Sequence, residues 1–180
     1  MRTRIPALLP LLLLLAGAPA CRPGPTDAEA LEVVRSYDAL VSDAYRAGDP
    51  VAARPVTGDD EFRRVAAHVG VKLDQGLTLD ARLVELQPRG VERRGDEVVV
   101  TTDERWHYLD RRIGTGEQVG QDSRDHYVMR YFLRKSGKAW VVDRTEFAEK
   151  PEVGRTQVPD RAPAGAFHGM ETVDGRGAAR

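Results

Sequence analysis

An α+β fold, with two N-terminal helices packed on a curved four-stranded antiparallel sheet, follows from three features of the sequence. Stretches 26–48 and 57–76 carry apolar residues at three- and four-residue spacing, the period of a helix with one buried face. Later stretches between 77 and 147 alternate apolar and polar residues, the period of a half-buried strand. Helices first and strands after them place the helices together on one face of one sheet.

The first helix starts at Thr26, with Glu29 three residues on. That spacing is a capping box, in which each side chain satisfies a backbone N–H at the helix start. Its stripe is Ala30, Val33, Val34, Tyr37, Leu40, Val41, Ala44 and Tyr45. Gly48-Asp49-Pro50 ends it, because glycine suits the left-handed cap and proline cannot continue. Thr57 and the acidic run Asp59-Asp60-Glu61 open the second helix, negative charge being favourable at a helix N-terminus. Phe62, Val65, Ala66, Val69 and Leu73 form its stripe, and Gly76 ends it.

Leu77, Leu79, Ala81 and Leu83 begin the sheet, and the phase then slips to Val84 and Leu86, which predicts a β-bulge near 83–84. Residues 87–96, with Pro88-Arg89-Gly90 and Gly95-Asp96, read as a turn region with room for a short strand at Val91. In 97–109 the better core parity is Val98, Val100, Thr102, Glu104, Trp106 and Tyr108, because it holds both aromatics. A polar loop at 110–121 follows. In 124–146, Tyr127, Met129, Tyr131 and Leu133 alternate with His126, Val128, Arg130, Phe132 and Arg134, then Ser136-Gly137-Lys138 turns into Trp140 and Val142. That is a hairpin with one dry face.

The order of elements, with Trp106-His107-Tyr108 on one strand and Tyr127-Val128-Met129-Arg130-Tyr131 on the next, resembles the nuclear transport factor 2-like, cone-shaped superfamily. With Ala44-Tyr45-Arg46, these motifs more narrowly resemble the C-terminal domain of plastid-division proteins and its bacterial relatives. The resemblance covers 26–149 and implies a cone between helices and sheet. Its motifs are core aromatics, so it implies a fold more than an activity.

The chain has 180 residues, which suits one domain with appendages. Arg2, Arg4, an apolar run over 7–16 and Ala18-Pro19-Ala20 before Cys21 read as an export signal over 1–20. Cys21 is the only cysteine, so no internal disulfide forms. Its place resembles the lipobox of bacterial lipoproteins, which implies a lipidated Cys21; Ala18 departs from the usual leucine. The alternative is ordinary cleavage and a soluble secreted or periplasmic protein. Residues 21–25 form the lipidated cysteine and tether, 26–149 the domain, and 150–180, rich in proline and glycine, a flexible tail. With arginine rather than aspartate after Cys21, the resemblance implies the outer membrane in a Gram-negative cell. The net charge is −1, which offers no basic field for nucleic acid.

Glu104, on the core parity beside Trp106, is the candidate catalytic group, since burial raises a carboxyl pKa toward the range of a general acid or base. Its structural alternative is an ion pair. Asp125 and His126 are adjacent on a strand and point to opposite faces, so they cannot share a proton. His68, His107, His126 and His168 lack metal-ligand spacing, and no metal or cofactor is expected. Trp106, Tyr108, Tyr127, Tyr131 and Trp140 are either core or the lining of a pocket for an apolar or planar ligand. The arginines at 89, 93, 94, 111 and 112 alternate with acids and read as mixed solvated surface.

Three functions are therefore expected in order. The first is a cell-envelope lipoprotein with a non-catalytic binding or scaffold domain that contacts the membrane through its anchor and an envelope protein through its surface. The second is a carrier for a small apolar ligand in the cone. The third is an isomerase- or dehydratase-like enzyme with Glu104 as base.

Overall fold

The computed structural model describes residues 24–149 and the backbone of 152–153. The signal, Cys21 and most of the 150–180 segment lie outside the described residues. Helix α1 (Asp27–Ala47) begins with the capping box at Thr26 and Glu29 and ends at Gly48 in the left-handed conformation. A Cβ at Gly48 would also stand 2.9 Å from a Leu73 methyl, so glycine serves both the turn and the close approach of α2. A short 3-10 helix (Pro50–Val56) leads to helix α2 (Asp59–Asp74). Thr57 is not the cap of α2. Gly58 takes that position, and its N–H donates to the Val142 carbonyl at 2.8 Å. A Cβ there would lie 3.1 Å from the Asp143 Cα. The contact pins the start of α2 to the sheet.

The strands are β1 (Leu77–Arg94), β2 (Glu97–Arg112), β3 (Gln118–Ser136), β4 (Ala139–Phe147) and β5 (Glu152–Val153). All pairs are antiparallel in the order β1-β2-β3-β4, and β5 continues beside β3 past the end of β4. The register skips Val84, the bulge expected from the phase slip, and Val84 is 68% exposed. Residues 87–94 are not a turn. β1 runs through them with a second register shift between Pro88 and Gly90, and the turn is confined to Gly95-Asp96. Proline is tolerated because β1 is an edge strand, where an N–H can be dispensed with. The polar loop also shrinks to 113–117, between long β2 and β3. Segment 150–180 contributes β5 to the sheet.

The favoured parity of β2 holds: Val98, Val100, Thr102, Glu104 and Trp106 are buried. The inner face forms two clusters. One joins Val34, Tyr37, Val41, Val65, Val100, Tyr131, Leu133 and Val142 beneath the helices. The other, smaller, joins Leu79, Ala81, Trp106 and Tyr127. Leu73 leaves the expected stripe of α2 and is 39% exposed. Lys72 is buried instead, its Nζ donating to Asp110 at 2.7 Å. On the outer face, the Arg144 guanidinium lies 3.6 Å over the Phe132 ring, covering an apolar surface with a cation whose head stays wet.

Candidate functional site

Between the two clusters the cone is hollow. A cavity of about 360 Å³ lies between α1, α2 and the sheet, at the lower end of the usual size for small-molecule sites. Trp106 and Tyr108 from β2 and Tyr127 and Tyr131 from β3 line it. Alternation explains the grouping: paired strands present every second residue to the same face. Trp140 does not join them. It packs on β4 against the filled cluster, because the β3–β4 turn lies at the opposite end of the sheet from Tyr108. Glu104 lines the cavity and is 1% exposed.

Glu104 accepts three hydrogen bonds, from the Thr102 hydroxyl at 2.5 Å, the Trp106 indole at 2.8 Å and the Tyr131 hydroxyl at 2.8 Å. Burial raises its pKa, and those three donors oppose the rise. The Tyr131 oxygen also lies 3.0 Å from Asp38 Oδ1, on α1. Asp38 is 4% exposed and lines the cavity. Burial, and then the neighbouring Glu104, push its pKa well above the carboxylate range. A phenol has one proton, so it donates to one of the two carboxyls. Glu104, with two further donors, is the better place for negative charge, and Asp38 is the better place for a proton. Asp38 Oδ2 has no hydrogen-bond partner.

Charge on the opposite wall is paired. Tyr37 donates to Glu61, Arg64 donates to Glu61 and to the Thr145 hydroxyl, and Glu61 is 2% exposed. Tyr45 and His68 lie ring to ring at 5.0 Å. Burial, with Lys72 and Arg64 next, lowers the His68 pKa, while burial pushes Tyr45 up to about 12. The cavity therefore presents phenols and an imidazole biased toward their neutral forms, an Asp38 carboxyl that burial biases toward protonation, Glu104 held by three donors, and the Arg64–Glu61 pair. Such a lining suits a largely uncharged molecule with few polar groups.

Asp125 and His126 diverge as strand geometry requires. Asp125 faces inward and accepts from the Tyr127 hydroxyl at 2.6 Å. His126 faces outward, 2.6 Å from Asp103, which also holds Arg89. His107 lies 2.7 Å from Asp122. Among the described residues, no group of three or more histidine, cysteine, aspartate or glutamate side chains could hold a metal ion. Sequence reasoning overlooked Asp38, Glu61 and Arg64, because charged residues on a helix read as solvated. One signal was available: at about 100° per residue Asp38 falls only about 20° beyond Tyr45, next to the stripe that Val34, Val41 and Tyr45 define.

No protein-family model matches the chain, and no curated protein sequence matches it. Among solved structures the chain is similar to the intermembrane space region of the chloroplast protein ARC6. The TM-score is 0.61 at 15% identity, over 69% of this chain and 98% of that one. This is the nuclear transport factor 2-like cone fold. Looser likenesses are a ketosteroid isomerase-like protein from Erwinia carotovora atroseptica (TM-score 0.41, 17% identity, 68% of this chain and 98% of that one) and the β subunit of benzoate 1,2-dioxygenase from Burkholderia mallei (TM-score 0.41, 15% identity, 70% and 91%). At 15% identity the ARC6 likeness speaks for the fold and for no activity. The cone expected from the Trp106 and Tyr127 strands is the one observed.

Proposed function

We propose that this chain is a cell-envelope lipoprotein, anchored through Cys21, whose cone holds a small, largely apolar ligand without transforming it. The observation that supports the binding role is the 360 Å³ cavity lined by Trp106, Tyr108, Tyr127 and Tyr131. The anchor rests on the signal-like 1–20 stretch and the sole cysteine. No described helix is long and apolar enough to cross a membrane. A role for Glu104 as general base draws less support. Burial leaves its pKa raised, but Thr102, Trp106 and Tyr131 already occupy both carboxyl oxygens, so a substrate proton would have to displace one of them.

A second reading, a scaffold that docks an envelope protein, is supported by the fold likeness to a region named for an intermembrane space. The two readings separate on one experiment. The mature full chain is titrated with the neutral fluorophore N-phenyl-1-naphthylamine, alongside Ala81→Phe, which places a ring in the cavity from β1. Ligand binding predicts saturable enhancement at one site, lost in the variant. No enhancement, or equal enhancement in the variant, favours the scaffold. Partition of the protein into a detergent phase, lost in Cys21→Ser, tests the anchor separately.

A further inference from the structure

Most polar groups at the floor of the cavity are engaged. Glu104 accepts from Thr102, Trp106 and Tyr131, and Glu61 accepts from Tyr37 and Arg64. Asp38 differs. Tyr131 stands at its Oδ1, and its Oδ2, shut off from solvent, has no hydrogen-bond partner. A buried polar atom left unsatisfied keeps its full desolvation penalty, and such an atom on a cavity wall is what a ligand's donor would relieve.

We infer that Asp38 is the polar anchor of the ligand, and that the ligand is a neutral, largely apolar molecule bearing a hydroxyl, which it donates to Asp38 Oδ2. This rests on the ligand-binding reading above and specifies its chemistry. The titratable groups that face Asp38 are Glu104 from β2 and Tyr131 from β3, and among the described residues no cation is paired with it. The proton arrangement follows. Asp38 carries its proton on Oδ1 and donates it to the Tyr131 oxygen, and Tyr131 donates its own to Glu104. That leaves Oδ2 as a carbonyl-type acceptor. Asp38 itself lines the cavity, so a ligand hydroxyl that reaches Oδ2 leaves the bond between Oδ1 and Tyr131 in place. An ammonium head suits this floor less well than a hydroxyl, because a full charge would be stripped of water among mostly aromatic and apolar side chains. The volume corresponds to about a dozen waters at ~30 Å³ each, room for a bicyclic aromatic or a short-chain alcohol.

The test uses two probes of nearly equal shape, 2-naphthol and 2-methoxynaphthalene, on the mature full chain. Only the first can donate. The wild type is expected to prefer 2-naphthol by about tenfold, the scale of one hydrogen bond to a buried acceptor. Asp38→Asn keeps the preference, since its amide N–H donates to Tyr131 and its carbonyl takes the place of Oδ2. Asp38→Leu binds both probes alike. Thermal unfolding checks that each variant is folded, and if Asp38→Leu is not, the wild type and Asp38→Asn still decide. Equal binding of both probes by the wild type overturns the inference and leaves the ligand-binding reading standing. Loss of the preference in Asp38→Asn overturns it in favour of an ionised Asp38. Binding of neither probe removes the ligand-binding reading and this inference together.

Discussion

The inner face of this sheet has a filled half and a hollow half, and each holds one of the two tryptophans. Trp140 packs against the cluster that contains Val34, Val100, Leu133 and Val142, aliphatic side chains that are fully buried. Trp106 stands on the wall of the cavity, its indole bonded to Glu104. Both halves are built by the same alternation on the same strands. The difference lies in residue type. Toward the filled end, β2 and β3 present Val98, Val100 and Leu133; toward the hollow end they present Glu104, Trp106, Tyr108 and Tyr127. Aliphatic side chains mesh until no space is left. Rigid rings whose hydroxyls must reach partners do not. Stability and binding capacity should therefore separate along the sheet.

The largest expected effect is in the filled half. Leu133, wholly inaccessible, should lose about 3 kcal/mol of stability on Leu133→Ala, seen in urea unfolding, with probe binding unchanged in the folded fraction. A comparable loss of binding would mean the halves are not independent. Next is β1, where Asp80 precedes the cavity-lining Ala81 and is as inaccessible as Asp38 but lies among Arg46, Arg82 and Arg111. Hydrogen bonds from Arg82, and from Arg111 and Arg46, hold its pKa well below the carboxylate range. Asp80→Asn should cost about 2 kcal/mol, less than a fully buried pair because these arginines can turn to water.

The two aspartates should also respond to pH in opposite senses. Asp80, with its pKa depressed in the fold, contributes stability present above the unfolded value of about 4 and lost as pH falls below it. Asp38, with its pKa raised, holds its proton more tightly in the fold than in the unfolded chain. Stability therefore declines as pH rises from about 4 toward its folded value. Unfolding of Asp38→Asn should lack that decline, and unfolding of Asp80→Asn should lack the acid loss. The smallest effect belongs to Ala81→Phe. Filling existing space should change stability by no more than about 1 kcal/mol while abolishing binding, the inverse of Leu133→Ala.

The sheet side of the cavity was legible in the sequence. Trp106, Tyr108, Tyr127 and Tyr131 share one parity on neighbouring strands, and period two alone brings them together. Trp140 was misplaced because parity says which face a residue takes and not how far along the sheet it lies. That depends on the tight turn at Gly137-Lys138, which sets Ala139 opposite Ser136. The helix side was not legible. Glu61 and Arg64 are three residues apart, the spacing of an ordinary exposed ion pair, and only tertiary packing, with Tyr37 of α1 donating to Glu61 and Arg64 reaching Thr145 of β4, sets the pair in the interior. The length of β1 was hidden by Pro88, which reads as a turn unless the strand is known to be an edge.

The two indole N–H groups give the most direct test of ligand binding in the hollow half, because one sits in each region and both report in a single ¹H–¹⁵N spectrum. On addition of 2-naphthol to the mature chain, the Trp106 signal should move saturably as the hydrogen bond to Glu104 adjusts to an occupied cavity, while the Trp140 signal stays in place. If neither signal moves, or if both move alike without saturating, the cone does not hold a ligand and the account is wrong.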